Sequence, residues 1–287
     1  MKNLITYLSF SLLLIIFSSC EDPIQVDLDK GAPLITIDAF VNNMRQPQTI
    51  RLTYADDYFS QKPSTGISGA TVLIKDITSN TSYNFSDNSN GNYTFNLTTN
   101  DTLIRVDHQY ELQITHQGNY YYANTLAKRS TSVDSIIVNY NTGGTFSQEG
   151  YDAGFIGVDP VGPIPDYYWI KSYRNGVFYN KGIDINICRD GANAEGSDGF
   201  IFIPPIARGI VPGGERLNKY DTLRVEIHSI SEGCYNFLAQ VFTQTTNAGL
   251  FATTPENVKT NIISNSSVKA VGWFNTSVVG WKKVSVE

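Results

Sequence analysis

Of the three cysteines in this 287-residue chain, Cys20 stands in the setting that most directly calls for chemistry. Lys2 gives a basic start, Leu4 to Phe17 form an almost uncharged apolar run, Ser18 and Ser19 are small, and Glu21-Asp22 follow the cysteine. A basic start, an apolar run of about 7–15 residues and small residues before a cut describe a secretory signal peptide. A cysteine directly after the small pair adds the bacterial lipobox, in which the thiol is diacylated and becomes the first residue after cleavage. An ordinary signal peptide, or a membrane anchor with an incidental cysteine, is the competing reading. The apolar run is shorter than the roughly 20 residues that span a bilayer. Residues 1–19 are therefore expected to be a lipoprotein signal peptide, with palmitate-type acyl chains on Cys20.

Cys188 and Cys234 remain, and two cysteines in an oxidising compartment form a candidate disulfide, with a pair of buried thiols as the alternative. His108, His116 and His228 are scattered without zinc-site spacing, so no metal site is expected. Catalysis by a nucleophile needs Ser or Cys with a base and an orienting group; no nucleophile-elbow sequence is present, and no Asp/Glu pair stands out. The chain is expected to have no catalytic residues and no cofactor. Residues 190–198 are oxygen-rich but lack the closing Glu of an EF-hand. The aromatic runs are the better binding candidates. In Tyr120-Tyr121-Tyr122, Tyr167-Tyr168-Trp169 and Trp273-Phe274, neighbouring rings fall on opposite faces of a strand, so one ring of each run leaves its own core. Tyr121, Tyr167, Trp169 and Trp273 are the candidates to stack on a ligand or anchor a partner; a ring that merely covers an adjacent strand is the alternative. Thr102, Ser135 and Thr222 each follow Asp and precede an aliphatic residue, an O-glycosylation pattern that ordinary strand starts also produce.

The elements that must position these residues are mostly strands. The chain carries 17 Tyr, 15 Phe and 23 Gly but only 2 Met, and with Thr, Val and Ile at alternating positions this favours sheets. Ile35, Ile37, Ala39 and Val41 alternate with Thr36, Asp38 and Phe40, a half-buried strand. Ile50-Leu52-Tyr54, Ala70-Val72-Ile74 and Tyr110-Leu112-Ile114 follow the same period. Tyr83 and Phe85 pair with Tyr93 and Phe95 across Asn90-Gly91, the strongest short hairpin signal. The fold class expected is mainly β: an N-terminal immunoglobulin/transthyretin-like β-sandwich over 34–128, then a C-terminal β-rich domain over 129–287. Residues 159–165 hold too many prolines for a central strand. One amphipathic helix is expected from Ser231, with Cys234, Leu238, Val241, Phe242 and Thr245 on one face and Asn247 and Gly249 ending it. Residues 20–33 form a polar tether reaching roughly 45 Å, at about 3.5 Å per residue.

The formal charge of −6 becomes −7 without residues 1–19, since only Lys2 is lost. This acidic balance gives no reason to bind nucleic acid or anionic headgroups. Attachment to a membrane would rest on acyl chains, of which two or more anchor stably.

Together, Cys20-Glu21-Asp22-Pro23, Leu34-Ile35-Thr36-Ile37-Asp38-Ala39-Phe40, Ser68-Gly69-Ala70-Thr71-Val72, Gly91-Asn92-Tyr93, Val133-Asp134-Ser135-Ile136, Asp159-Pro160, Tyr167-Tyr168-Trp169, the Tyr235 helix, Asn257 to Ile262 and Gly272-Trp273-Phe274 resemble the Bacteroidota lipoprotein family called domain of unknown function 4249 (DUF4249). Thr260 stands where that family usually has glycine, and Trp273 where it usually has tyrosine. The resemblance implies an outer-membrane lipoprotein that partners a TonB-dependent (SusC-like) receptor in nutrient uptake; Glu21-Asp22 directly after Cys20 resemble a surface-export signal and point to outward display, with a solvated spacer as the alternative. A stand-alone carbohydrate- or peptide-binding module, or an envelope structural lipoprotein, are the alternatives.

Overall fold

The computed structural model describes residues 34–56, 62–97, 102–145, 148–162, 164–189, 199, 201–202, 206–212, 215–247, 258–265 and 268–287. Cys20, the signal segment, the tether and the oxygen-rich stretch 190–198 lie outside them. Among the described residues the chain is mainly β with one α-helix.

Strict alternation builds the first sheet. In β1 (Ile35–Asn42), Ile35, Ile37, Ala39 and Val41 point inward and are buried, while Asp38 points out. β2 (Gln48–Tyr54), β3 (Thr71–Asp76), β4 (Thr81–Asp87), β5 (Asn92–Phe95), β6 (Gln109–His116) and β7 (Asn119–Leu126) extend the sheet. The order is β14-β7-β6-β3-β4-β5-β2-β1-β15, where β14 is Ile263–Ser264 and β15 is Ala270–Ser277. A bridge between Lys128 and Ser277 brings the β15 edge back to the chain leaving β7, so the sheet nearly closes. Inside are Ile37, Ile50, Ile74, Tyr93, Tyr110, Leu112, Tyr121 and Phe274, all fully buried. Each buried aliphatic side chain contributes about 1.5–3 kcal/mol. Two of the tyrosine hydroxyls are satisfied locally: Tyr93 donates to the Ile67 carbonyl (2.9 Å) and accepts from the Ala70 N–H, and Tyr110 accepts from the Arg105 N–H.

The hairpins form where the sequence signals them. Ser89, Asn90 and Gly91 all have positive φ, and β4 pairs with β5 across them. Asn175 (φ 51°) and Gly176 (φ 83°) make the two-residue loop between β10 (Tyr167–Arg174) and β11 (Val177–Phe178); both residues with positive φ suit the right-handed twist of the flanking strands. Residues 159–162, 164 and 165 are irregular, as Pro160 and Pro165 require, and Arg129 braces this stretch through Asp166 (2.6 Å) and the carbonyls of Pro160 and Val161.

The second sheet has the order β11-β10-β13-β16, with β13 at Thr222–Ile230 and β16 at Val279–Ser285. β12 (Asn186–Arg189) also pairs with β10. One face carries Tyr168, Ile170, Leu223, Val225 and Ile227 against the hairpin of β8 (Ser135–Asn141) and β9 (Gly150–Ile156), with Phe155 in that core. The other face meets Phe40, Trp273 and the helix α1, Glu232–Thr245. Ser231 caps the helix, its Oγ accepting from the Cys234 N–H at 3.1 Å. Only Cys234 and Leu238 of the expected apolar face are buried; Phe242 and Thr245 are exposed near its C-terminus.

The division at residue 128 is one of sequence order: β14 and β15, from beyond it, are strands of the first sheet. β15 runs parallel to β1, with Gly272 opposite Ile37. A side chain at Gly272 (φ 105°) would sit 2.0 Å from the Ile37 carbonyl oxygen, so only glycine permits this close pairing. The candidate disulfide is corrected here: no bridge joins Cys188 and Cys234. Cys188 lies opposite Tyr168 and faces the β8–β9 side of the second sheet, whereas Cys234 packs on the opposite face with Trp273 and Ile230.

Candidate functional site: an aromatic groove between the sheets

β1 has two useful faces. Its inward residues fill the first core, while Thr36, Asp38 and Phe40 project outward toward the second sheet and helix. There they line a groove of about 530 Å³ with Trp169 of β10, Phe178 of β11, Trp273 of β15 and Phe237 of the helix. Phe40 meets Trp169 edge-on with centroids 5.1 Å apart, Trp169 meets Phe178 at 6.3 Å, and Phe237 lies 5.2 Å from Trp273. A pocket of this size and apolar character suits a small organic ligand or part of a peptide.

Charged residues adjoin the rings. The Lys171 ammonium lies 3.9 Å from the Trp169 ring centroid and within 6 Å of Phe40 and Phe178, a cation–π arrangement. Across the β10–β13 ladder Lys171 stands opposite Glu226, Trp169 opposite His228 and Tyr173 opposite Arg224. Glu226 and His228 are buried; Glu226 Oε2 lies 2.8 Å from His228 Nε2, and Oε1 lies 3.0 Å from Arg224 Nη2. Burial drives the His228 pKa down to about 4, with Lys171 acting in the same direction. The imidazole is thus neutral at pH 7 and donates to the Glu226 carboxylate. Burial alone would raise Glu226, but His228, Arg224 and Lys171 together hold it below the usual carboxylate range. Burial lowers Lys171 against the opposing pull of Asp38 and Glu226. Asp38 is open to the groove by surface area, yet the surrounding walls displace enough water to raise its pKa, with Lys171 and Arg51 offsetting part of the effect.

Of the four aromatic candidates, Trp169 and Trp273 are brought together in this groove, and Tyr167 packs beside it on Tyr235 at 5.5 Å. Tyr121 is corrected: it is fully buried in the first core. The alternation of β7 turns Tyr121 inward and leaves Tyr120 and Tyr122 outside, stacked at 5.8 Å. The expected glycosylation positions are dispersed. Ser135 and Thr222 open β8 and β13, and the Thr102 hydroxyl donates to the Asn43 and Ile104 carbonyls. Asp38, Phe40, Lys171 and Phe178 were not among the sequence candidates. Phe40 did carry a signal, an aromatic ring on the polar register of an alternating strand.

Nearly the whole 287-residue chain is matched by one family model, described as a domain of unknown function (DUF4249), over residues 21–283. The chain belongs to the DUF4249 family. Comparison with curated protein sequences finds no match. In this DUF4249 protein the two positions noted as departures from the family pattern meet in space. Thr260 Oγ1 donates to the Gly272 carbonyl at 2.7 Å, next to Trp273, whose larger ring packs over Gly233 and Phe237.

Proposed function

We propose that this DUF4249 protein is a non-enzymatic lipoprotein, held on the outer membrane by acyl chains on Cys20 and facing outward, that captures a ligand for a TonB-dependent receptor. The observation that carries the capture role is the groove. Phe40, Trp169, Phe178 and Trp273 surround about 530 Å³ of open space between the sheets, a recess of the size and apolar character that holds small ligands. The anchor rests on the lipobox at Cys20, and the receptor partnership on the resemblance set out from the sequence. Among the described residues no helix is long and apolar enough to cross a membrane. The finer fold reading belongs to the same proposal: residues 34–128, completed by β14 and β15, form an immunoglobulin/transthyretin-like sandwich, a reading supported by the strands that curl round the first core.

The test is affinity isolation of the full-length protein from native outer membranes in mild detergent. A TonB-dependent receptor recovered in near-equal amount supports the proposal. Recovery of the lipoprotein alone, at native abundance, overturns the partnership.

A further inference from the structure

The charged residues of the groove lining are Asp38, Lys181 and Asp184, and the Lys171 ammonium stands against three of its rings. Asp184 is already engaged, accepting from the Lys181 backbone N–H at 3.0 Å. Asp38 takes part in no hydrogen bond or ion pair with any described residue, and is influenced only through space by Lys171 and Arg51. Lys171 does not answer that charge by contact. Its ammonium rests against the rings of Trp169, Phe40 and Phe178, and Glu226 stands opposite it in the ladder. A second group in the same lining also lacks a partner: the buried Trp273 indole N–H has no acceptor among the described residues, though its ring is only 8% exposed.

We infer that the groove recognises a basic peptide, its ammonium or guanidinium group meeting Asp38 among the aromatic rings and a backbone carbonyl accepting from Trp273 Nε1. The observations assign each part of the ligand. A carboxylate with raised pKa in a recess gains most from a cation that brings its charge into contact. Aromatic faces attract the same cation and cover the apolar stem of Lys or Arg. An unsatisfied buried donor is costly to leave unmade, and a peptide carbonyl is the acceptor that a simple amine lacks. The inference rests on the capture reading above and names the ligand class for it.

The test is calorimetric titration of the full-length protein in detergent with trilysine, tri-norleucine and cadaverine, for wild type and Asp38→Asn. Trilysine should bind wild type, and both the neutral tri-norleucine and the Asp38→Asn variant should weaken binding at least tenfold, with an unchanged unfolding midpoint for the variant. Equal trilysine affinity for wild type and Asp38→Asn overturns the proposal, as does no trilysine binding by wild type at millimolar concentration. Cadaverine binding as tightly as trilysine overturns the peptide assignment. A failed titration leaves receptor co-isolation standing, and failed co-isolation leaves the titration standing, so the two readings fail separately.

Discussion

Acidification should weaken the fold through one residue, His228, and the size of the effect follows from its burial. Its imidazole is held neutral down to a pKa of about 4 in the folded protein, against about 6.5 in an unfolded chain. Between these values the unfolded state binds the proton and the folded state resists it, so stability is fully present above pH 6.5 and falls as pH drops. Each pH unit in that window costs about 1.4 kcal/mol. Going from pH 7 to pH 5 crosses about 1.5 units of it, an expected loss of about 2 kcal/mol from this site. His228→Gln keeps a donor for Glu226 and removes the titration. Urea unfolding of both proteins at pH 7, 6 and 5 is the assay, because His108 and His116 are common to both and cancel in the difference. The wild type should lose about 2 kcal/mol more than the variant over that range. A difference that stays flat with pH would refute the neutral, buried imidazole.

Other perturbations reach other parts of the structure. Gly272→Ala places a Cβ 2.0 Å from the Ile37 carbonyl and should cost more than about 2 kcal/mol in chemical denaturation, through strain at a positive φ and disruption of the β1–β15 pairing. Ser231→Ala removes the helix cap and should cost about 1 kcal/mol by the same measurement. With Cys188 and Cys234 unbridged, a reducing agent should leave the thermal midpoint unchanged; a drop of several degrees would count against the separate cores.

The sequence was most legible where structure is local. The alternation of Ile35, Ile37, Ala39 and Val41 sets which side of β1 is buried, the Asn-Gly pairs set their hairpins, and Ser231 sets the helix start. Parallel pairing of β1 with β15 was not legible, because it joins segments more than 200 residues apart and depends on Gly272 letting two backbones approach. The groove was half legible for the same reason. Alternation says that Asp38 and Phe40 share a face, but not that a second sheet covers it, so nothing local marks Asp38 or Lys171 as groove residues. Tyr121 failed in the opposite way: a run of three tyrosines signals rings on both faces, and only the register of β7 with β6 tells which ring goes inside. Cys188 and Cys234 looked like a pair because nothing in their spacing shows that a sheet stands between them.

The claim that ties these parts together is that the groove between β1, β10 and the helix is where a ligand is held. Native mass spectrometry of the protein isolated gently from its native source, compared with Phe178→Lys, tests it most directly. Phe178 is at the groove wall on a two-residue strand, so the change sets an ammonium in the recess that repels a cationic ligand while leaving the two cores intact. The account predicts a bound mass on the wild type that is absent from the variant. The same bound mass on both proteins, or none on the wild type, would contradict it.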